Sequence, residues 1–201
     1  MSKEVIDLSL KQLKIIETSL FNLETKNLEE ICNLILENKG ILFFSGVGKN
    51  GHVAAKSAST FSSIGIKSIF INPVDAVHGD MGNVGCNDIV FCISKSGRTK
   101  ELINFVENLL ILEQKPKLIL LHSNDVSEFL HYFDYKICLN ELEEIDNFNI
   151  VPTTSITAYT ILLQSIGILI SQKNGFNLKK FKLNHPGGNI GEQLSKTEEN
   201  K

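Results

Sequence analysis

A glycine-rich loop that contains a lysine could bind phosphate. The segment FFSGVGKNGH, residues 43–52, spaces three glycines as G-x-G-x-x-G and places Lys49 after the second of them. Such loops bring backbone N–H groups close to phosphate oxygens, and a lysine adds positive charge. Three explanations compete: an ATP-binding loop, a dinucleotide-binding loop, and a grip for another phosphate ester.

The spelling of this loop disfavours the first two explanations. An ATP-binding loop requires G-x-x-x-x-G-K-[ST], but Phe43 occupies the first glycine position and Asn50 the hydroxyl position. A dinucleotide site requires an acidic residue at the end of the next strand, and that strand is predicted to end at Asn72. A tight turn that packs a strand on a helix would explain Gly46 but not Lys49.

A second polar loop, SKSGRT, has the composition of an anion site. Ser94, Ser96 and Thr99 supply three hydroxyls, and Gly97 permits a bent backbone. Because a helix is predicted to begin here, its free N–H groups and the positive end of its dipole can face an anion. A serine- and threonine-rich helix cap is the ordinary structural explanation. We favour binding of a phosphate monoester, without a metal.

Alternating strands and helices determine where these loops lie. Five apolar runs predict buried strands: ILFFSG, KSIFIN, DIVFCIS, KLILLHS and YKICLN. Helical patterns separate them, two helices precede them, and a long apolar helix follows Thr153 or Thr154. This order predicts an α/β fold, a three-layer αβα sandwich with a five-stranded parallel sheet in the flavodoxin-like order 2-1-3-4-5. The first and third strands would then be neighbours, so both polar loops would flank one crevice.

Length, charge and cysteine content exclude several classes of protein. A chain of 201 residues suits one domain, predicted to span residues 1–201 with residues 1–39 as a helical pair packed on it. A net charge of -3 argues against nucleic acid or membrane as a partner. The four cysteines form no C-x-x-C pair, and their apolar neighbours predict buried free thiols in a reducing cytosol. The charged start and the short apolar segment 161–170 predict neither a signal peptide nor a membrane span, so we expect a cytoplasmic protein.

Five segments in order resemble the sugar isomerase (SIS) domain family: GVGKNGH, NPVDAVHGDMG, ISKSGRTKE, VPTTS and LNHPGGNIGEQL. The resemblance runs from about Gly40 to Leu194, and within the family it is closer to the arabinose 5-phosphate isomerases that supply Kdo synthesis for lipopolysaccharide or capsule. Longer members carry a pair of CBS modules after HPGG. This chain ends soon after Gln193, so the resemblance implies the short form without CBS modules.

The resemblance implies an aldose–ketose isomerase that interconverts D-arabinose 5-phosphate and D-ribulose 5-phosphate through an enediol. Such a reaction needs an anchor for the phosphate, a base for a C–H proton, a donor or cation for the developing oxyanion, and acid–base help to open the sugar ring. It needs no redox cofactor, and we expect neither a cofactor nor a metal.

The resemblance also implies which side chains act. The expected catalytic residues are Lys49, His78, Glu101, Glu144 and His185. Glu144 is the expected base and Glu101 its rival, while Lys49 would contact phosphate or the enediolate oxygen. His185 would assist ring opening or shuttle protons, since imidazole titrates near neutrality. The expected substrate-binding residues are Ser45, Gly46, Gly48, Ser94, Lys95, Ser96, Gly97 and Thr99.

Departures from the family pattern keep alternatives open. Lys95 and Arg98 stand where an amide and an acid are common, and both add positive charge beside the proposed phosphate. The segment DNFNIVP also departs from the usual spelling, and it is expected to border the sugar. Another SIS isomerase, acting on a heptose, hexulose or amino-sugar phosphate, is one alternative, and a non-catalytic sugar-phosphate sensor is another. His52 could line the crevice or only pack. The resemblance implies a homo-oligomer, a tetramer, with sites completed across subunit faces.

Overall fold

The central sheet has five strands that all run parallel. A computed structural model describes residues 1–124 and 127–189 of the chain. The strands are β1 (Leu42–Gly46), β2 (Ser68–Phe70), β3 (Ile89–Ile93), β4 (Lys117–His122) and β5 (Tyr135–Cys138). They lie in the order β2-β1-β3-β4-β5, and every neighbouring pair is parallel. The predicted fold class and strand order are therefore confirmed.

Helices connect the strands and cover both faces of the sheet. They are α1 (Ser2–Phe21), α2 (Thr25–Glu37), α3 (Lys49–Ser63), α4 (Pro73–Ala76), α5 (Lys100–Leu110), α6 (Thr154–Lys173) and α7 (Leu178–Asn184). Two 3₁₀ turns, Asp80–Asn83 and Glu128–Tyr132, complete the described elements. The pattern of the segment DVSEFLHYF, residues 125–133, predicts a short helix, but the second of these 3₁₀ turns forms there instead. Residues 125–126 lie outside the described part of the chain.

Two apolar cores hold the layers together, one on each face of the sheet. Along β1, Phe44 faces α3 and α6, whereas Phe43 faces α5. Both strands of the central pair, β1 and β3, are buried at every position, as their continuous apolar sequence predicts. Cys92 lies in the second core, where burial raises the pKa of its thiol far above the ordinary value. The prediction of buried cysteines is wrong for Cys86, which is exposed.

The apolar helix α6 belongs to the core. The expectation that this segment is too short to span a membrane is wrong by length, because α6 has 20 residues and is apolar enough to cross one. Its buried face, however, packs against α1, α2 and α3, which is the position of a core helix. Since α1 and α2 pack here, the helical pair at 1–39 lies against the sheet domain. The full extent of a domain over 1–201 stays a prediction, because residues 190–201 lie outside the described residues.

Candidate functional site

The two predicted loops lie side by side at one edge of the sheet. Gly46, the last residue of β1, pairs in register with Ile93, the last residue of β3. The connection after β1 leads into α3, which covers one face, and the connection after β3 leads into α5, which covers the other. A cleft therefore opens between the loops at the point where strand order reverses, the usual position of ligands in such sheets.

The glycines of the first loop have separate structural causes. A Cβ on Gly46 would lie 2.9 Å from the backbone of Asn50, and a Cβ on Gly51 would lie 2.8 Å from the carbonyl oxygen of Gly46. These two glycines let the strand end touch the first turn of α3. Gly48 has φ +60° with open space around it, so its role is the turn itself. No side chain caps α3, and Lys49 is exposed at its first position.

The second loop presents hydroxyls and an uncapped helix end. The hydroxyl oxygens of Ser94 and Thr99 lie 2.9 Å apart, and no side chain caps α5. Within residues 1–124 and 127–189, the first N–H groups of this helix therefore have no intrahelical or side-chain acceptor and are available to an anion. Gly97 adopts φ +64°, and the hydroxyl of Ser127 donates to its carbonyl oxygen at 2.9 Å. Ser127 thus fixes the bend of the loop.

The two remaining serines of the predicted binding set differ in accessibility. Ser45 is fully buried, and within the described residues its hydroxyl has no hydrogen-bond partner. Its expected contact with substrate stays a prediction, and it would require the side chain or its neighbours to move. Ser96 is exposed, and its hydroxyl accepts a hydrogen bond from the backbone N–H of Arg98 at 3.1 Å.

Glu144 forms the N-terminal cap of α6. One carboxylate oxygen accepts from the backbone N–H groups of Thr153 and Thr154 at 2.8 Å each, from that of Ser155 at 3.3 Å, and from the Thr153 hydroxyl at 3.2 Å. The other accepts from the Ser155 hydroxyl and from the ammonium of Lys95, both at 2.6 Å. The residue is 3% exposed. A carboxylate thus takes the place that an anion would occupy at this helix end.

This environment makes Glu144 a poor proton acceptor. Burial alone would raise the pKa of its carboxyl group, but the hydrogen bonds from Lys95, from the Ser155 hydroxyl and from the backbone N–H groups of Thr153 and Ser155 outweigh it. Together they lower the pKa to about 2. A general base works best with a pKa near the working pH. The predicted role of Glu144 as the base stays a prediction, and its surroundings favour a structural role.

The charge of Lys95 is already paired. Its ammonium contacts Glu144, and about a third of its side chain, 34%, is exposed. The charge of Lys95 is therefore balanced by Glu144 in this conformation, and its expected contact with phosphate stays a prediction. Lys95 links the loop after β3 to the segment before α6.

Two of the other predicted catalytic residues, Glu101 and His78, lie at the edge of the sheet where the cleft opens. Glu101 is exposed in the first turn of α5, one residue after the helix begins, and His78 is exposed beyond α4 after β2. Both follow carboxyl ends of strands, on the side of the sheet that holds the cleft. His52 is exposed in the first turn of α3 and remains open in role.

His185 lies far from the cleft within one chain. The preceding Asn184 donates from its side chain to the carbonyl oxygen of Ser63, at the far end of α3 from Lys49. A helix of this length separates its ends by roughly 20 Å. His185 stacks on Phe181 with ring centroids 3.9 Å apart, and it lines a cavity of about 660 Å³ beside β2. A single chain therefore does not bring His185 to the cleft.

Four residues near the cleft carry contacts that the sequence reasoning did not assign. Thr153 and Ser155 hold Glu144, and their segment VPTTS was a visible signal. Ser123 and Tyr159 share a hydrogen bond of 2.5 Å behind the loop at 94–99. Tyr159 gave no signal because it lies within a helix that reads as an apolar core element. Among residues 1–124 and 127–189, no group of three or more His, Cys, Asp or Glu residues is arranged to hold a metal ion.

Comparison with known proteins gives consistent matches. The family model described as "SIS domain" matches residues 35–169. Arabinose 5-phosphate isomerase KdsD of Yersinia pestis is 34% identical over 163 residues, 81% of this chain and 49% of that protein. The chain spans about half the length of the curated relatives it matches.

Solved structures match over nearly their whole length. Escherichia coli CFT073 c3406 in complex with arabinose 5-phosphate superposes with a TM-score of 0.86 at 28% identity, covering 92% of this chain and 96% of that one. A Bacteroides fragilis NCTC 9343 protein, described as a candidate phosphosugar isomerase involved in capsule formation, superposes with a TM-score of 0.84 at 30% identity, covering 92% and 98%.

Proposed function

The chain belongs to the SIS domain family, and we propose that it is an aldose–ketose isomerase that interconverts D-arabinose 5-phosphate and D-ribulose 5-phosphate through an enediol. The single observation that carries this proposal is the loop at 94–99. There, two hydroxyls lie 2.9 Å apart beside the uncapped start of α5, at the cleft where strand order reverses, and these donors support binding of an anion. Two relatives favour this substrate: one is named arabinose 5-phosphate isomerase, and the other is a structure in complex with that sugar phosphate.

In the proposed complex the phosphate monoester binds to the loop at 94–99. Its oxygens would accept hydrogen bonds from the free N–H groups at the start of α5 and from the hydroxyls of Ser94, Ser96 and Thr99. Charge-assisted hydrogen bonds of this kind are about twice as strong as neutral ones. On the opposite wall, Gly46 lets the end of β1 lie against α3, and the turn at Gly48 would turn the backbone of the first loop toward the sugar.

Lys49 would stabilise the negative charge that develops during proton transfer. Removing the proton next to the carbonyl leaves an enediolate, whose oxygen needs a donor or a cation. Lys49 is exposed at the start of α3 and next to the cleft, so its ammonium can turn toward this oxygen. His78 is the proposed partner for acid–base exchange with the sugar hydroxyls, because an imidazole can both donate and accept a proton.

We assign proton transfer between C1 and C2 to Glu101 before Glu144. Glu101 is exposed and lies within the first turn of the helix whose N-terminus would hold the phosphate. Glu144, in contrast, uses its lone pairs on six hydrogen bonds from protein donors. The family resemblance implies Glu144 as the base; in this proposal the base is Glu101.

We also propose that the chain acts as a homo-oligomer, a tetramer, with His185 supplied to a neighbouring subunit's cleft. In support, apolar side chains of α1 before residue 14 are more than two-fifths exposed: Val5, Ile6, Leu8, Leu10 and Leu13. Ile168 and Leu169 of α6 are also exposed. Such faces favour burial against another copy. Mixing inactive Lys49→Ala and His185→Ala proteins should restore part of the activity if subunits share sites.

A role in Kdo synthesis, for lipopolysaccharide or capsule, and a cytoplasmic location complete the proposal. Both rest on the family resemblance and on the ordinary globular core. They are separable from the chemistry at the cleft, because a different downstream use of arabinose 5-phosphate would leave that chemistry unchanged.

One experiment tests the activity. Purified protein is incubated with D-ribulose 5-phosphate in deuterated water, and the aldose formed is identified by NMR. We expect arabinose 5-phosphate with deuterium at C2. A different preferred sugar phosphate would favour another SIS isomerase, for which the exposed loop side chains Phe148 and Ile150 beside Glu144 are the place to look for altered contacts. Binding without turnover of any sugar phosphate would favour a sensor.

A further inference from the structure

The loop at 94–99 is attached to α6 by the side chain of Lys95. Its ammonium lies 2.6 Å from Glu144, and the same carboxylate accepts from the backbone N–H groups at the start of α6. Because Glu144 is buried and held from several directions, it cannot move without uncapping the helix. The side chain of Lys95 is therefore tied to a rigid element.

The backbone of the same residue is attached to α6 by a second route. The N–H of Ser123, just after β4, donates to the carbonyl oxygen of Lys95 at 3.0 Å. The hydroxyl of Ser123 lies 2.5 Å from that of Tyr159 on α6. Tyr159 is fully buried and lies one helical turn after Ser155, which holds Glu144. Lys95 is thus anchored at both ends to the first two turns of one helix.

The second route depends on a single phenolic hydroxyl. Burial raises the pKa of Tyr159 far above its ordinary value, so the hydroxyl is protonated at neutral pH. A buried hydroxyl without a partner is costly, so Tyr159 and Ser123 hold each other in place. Two further attachments of the loop are the pairing of Ser94 with β4 and the bond from Ser127 to Gly97.

We propose that Tyr159 is a positioning residue: through Ser123 it fixes the backbone at Lys95, and it thereby holds the loop at 94–99 in the shape that receives the phosphate. Lys95 acts as a strut between the loop and α6, and its ammonium is not a phosphate ligand. This inference rests on the proposed function of the loop. An anion-binding site binds more tightly when its hydrogen-bond donors are already in position before the anion arrives.

The test removes only the hydroxyl. Tyr159→Phe keeps the ring in the core, and Ser123→Ala removes the other half of the bond. Tyr132→Phe is the matched control, because its hydroxyl donates to Glu107 at 2.9 Å on the surface, away from the loop. Hydrogen exchange of the segment at 94–101 and the affinity for inorganic phosphate are measured for each protein.

We expect faster exchange at 94–101 and about five-fold weaker phosphate binding in Tyr159→Phe, the usual effect of one lost hydrogen bond. Ser123→Ala should match it, and the double variant should be no worse than either single one. In turnover assays the effect should appear in KM and leave kcat within about two-fold. A purely structural loss would instead add in the double variant and lower thermal stability without a specific change at 94–101.

Each contrary result overturns the inference. Unchanged exchange or unchanged phosphate affinity in Tyr159→Phe would do so, and so would equal changes in Tyr132→Phe or additive effects in the double variant. A parent protein that binds no phosphate would remove the anion site itself. Failure of the isomerase assay alone would remove the proposed reaction but would leave the exchange and phosphate measurements in force.

Discussion

The ammonium of Lys95 lies 2.6 Å from a carboxylate oxygen of Glu144. This contact joins the loop after β3 to the segment that starts α6. Lys95 was expected to bind the phosphate, and Glu144 was expected to accept a proton from the sugar. In the structure their charges neutralise each other. The contact makes the function of each residue testable through the other.

Replacing Glu144 with Gln should weaken binding and stability together. The amide cannot accept all the hydrogen bonds that now reach the carboxylate, and Lys95 loses its counter-charge. We expect the free energy of unfolding to fall by roughly 2 kcal/mol and KM to rise, with a moderate loss in kcat. Chemical denaturation and steady-state kinetics measure both. Glu143→Gln, exposed and adjacent, is the control. A thousand-fold loss in kcat at unchanged KM would instead make Glu144 the base.

Replacing Glu101 with Gln should abolish most turnover and spare binding. If this carboxylate moves the proton, kcat should fall about 10²- to 10⁴-fold, while the affinity for ribulose 5-phosphate stays within a few-fold. Glu107→Gln, exposed further along the same helix, controls for charge on α5. Full activity of the Glu101 variant would return the assignment to Glu144.

Removing the hydroxyl of Ser96 should raise KM with little change in kcat. Ser96 is exposed in the loop at 94–99, and its hydroxyl now accepts only from the backbone N–H of Arg98 among the described contacts. Losing one hydrogen bond to a charged phosphate should weaken binding about ten-fold. Ser165→Ala, on the exposed side of α6, is the control. Undiminished affinity in Ser96→Ala would contradict the phosphate assignment.

Acid should destabilise the protein partly through Glu144. Its pKa in the folded state, about 2, lies below the ordinary glutamate value, so the folded state favours the ionised form. This stabilisation is complete above the ordinary pKa and is lost as the pH falls toward 2; it is on the order of 3 kcal/mol. Denaturation of the parent and of Glu144→Gln from pH 7 to pH 3 should show a difference that shrinks below about pH 5. A difference independent of pH would show that the charge of Glu144 is not what stabilises the fold.

A methyl group at Gly51 should destabilise the fold. A Cβ there would lie 2.8 Å from the carbonyl oxygen of Gly46, which cannot move without shifting the end of β1. We expect Gly51→Ala to cost about 1–3 kcal/mol, measured by thermal denaturation. Gly82→Ala, with no atom within 4 Å of its new Cβ, should be nearly neutral. Equal stability of both variants would mean that the loop relaxes around the methyl group.

The sheet could be predicted from the sequence because its signal is local and redundant. Each strand is a short apolar run, and β1 and β3 are buried along their whole length as continuous runs require. Order followed from the general rules for alternating strands and helices. Helix ends are harder to predict. Asn27 is a residue type that caps helices, yet α2 begins at Thr25 after Glu24, because the packing of Ile31 and Ile35 stabilises the helix more than one cap does.

The candidate site was only partly predictable. The loops at 46–49 and 94–99 contain their own signals, namely glycines and hydroxyls. The environment of Glu144 has no such signal in the sequence, because its hydrogen-bond donors come from the loop after β3 and from α6 and meet only in the folded chain. The same holds for Tyr159, whose hydroxyl finds Ser123 across the core. The position of His185 at the far end of α3 likewise depends on how the chain returns after α6.

The parallel sheet also sets the order in which the cleft can form during folding. Leu42 pairs with Ile89, and Ile89 pairs with Lys117, so no two neighbouring strands can zip together as a hairpin. When only the residues up to α4 have left the ribosome, the glycine loop is present, but the loop at 94–99 that forms the other wall of the cleft is not. Both walls of the cleft come together only after a long-range closure whose entropic cost slows folding.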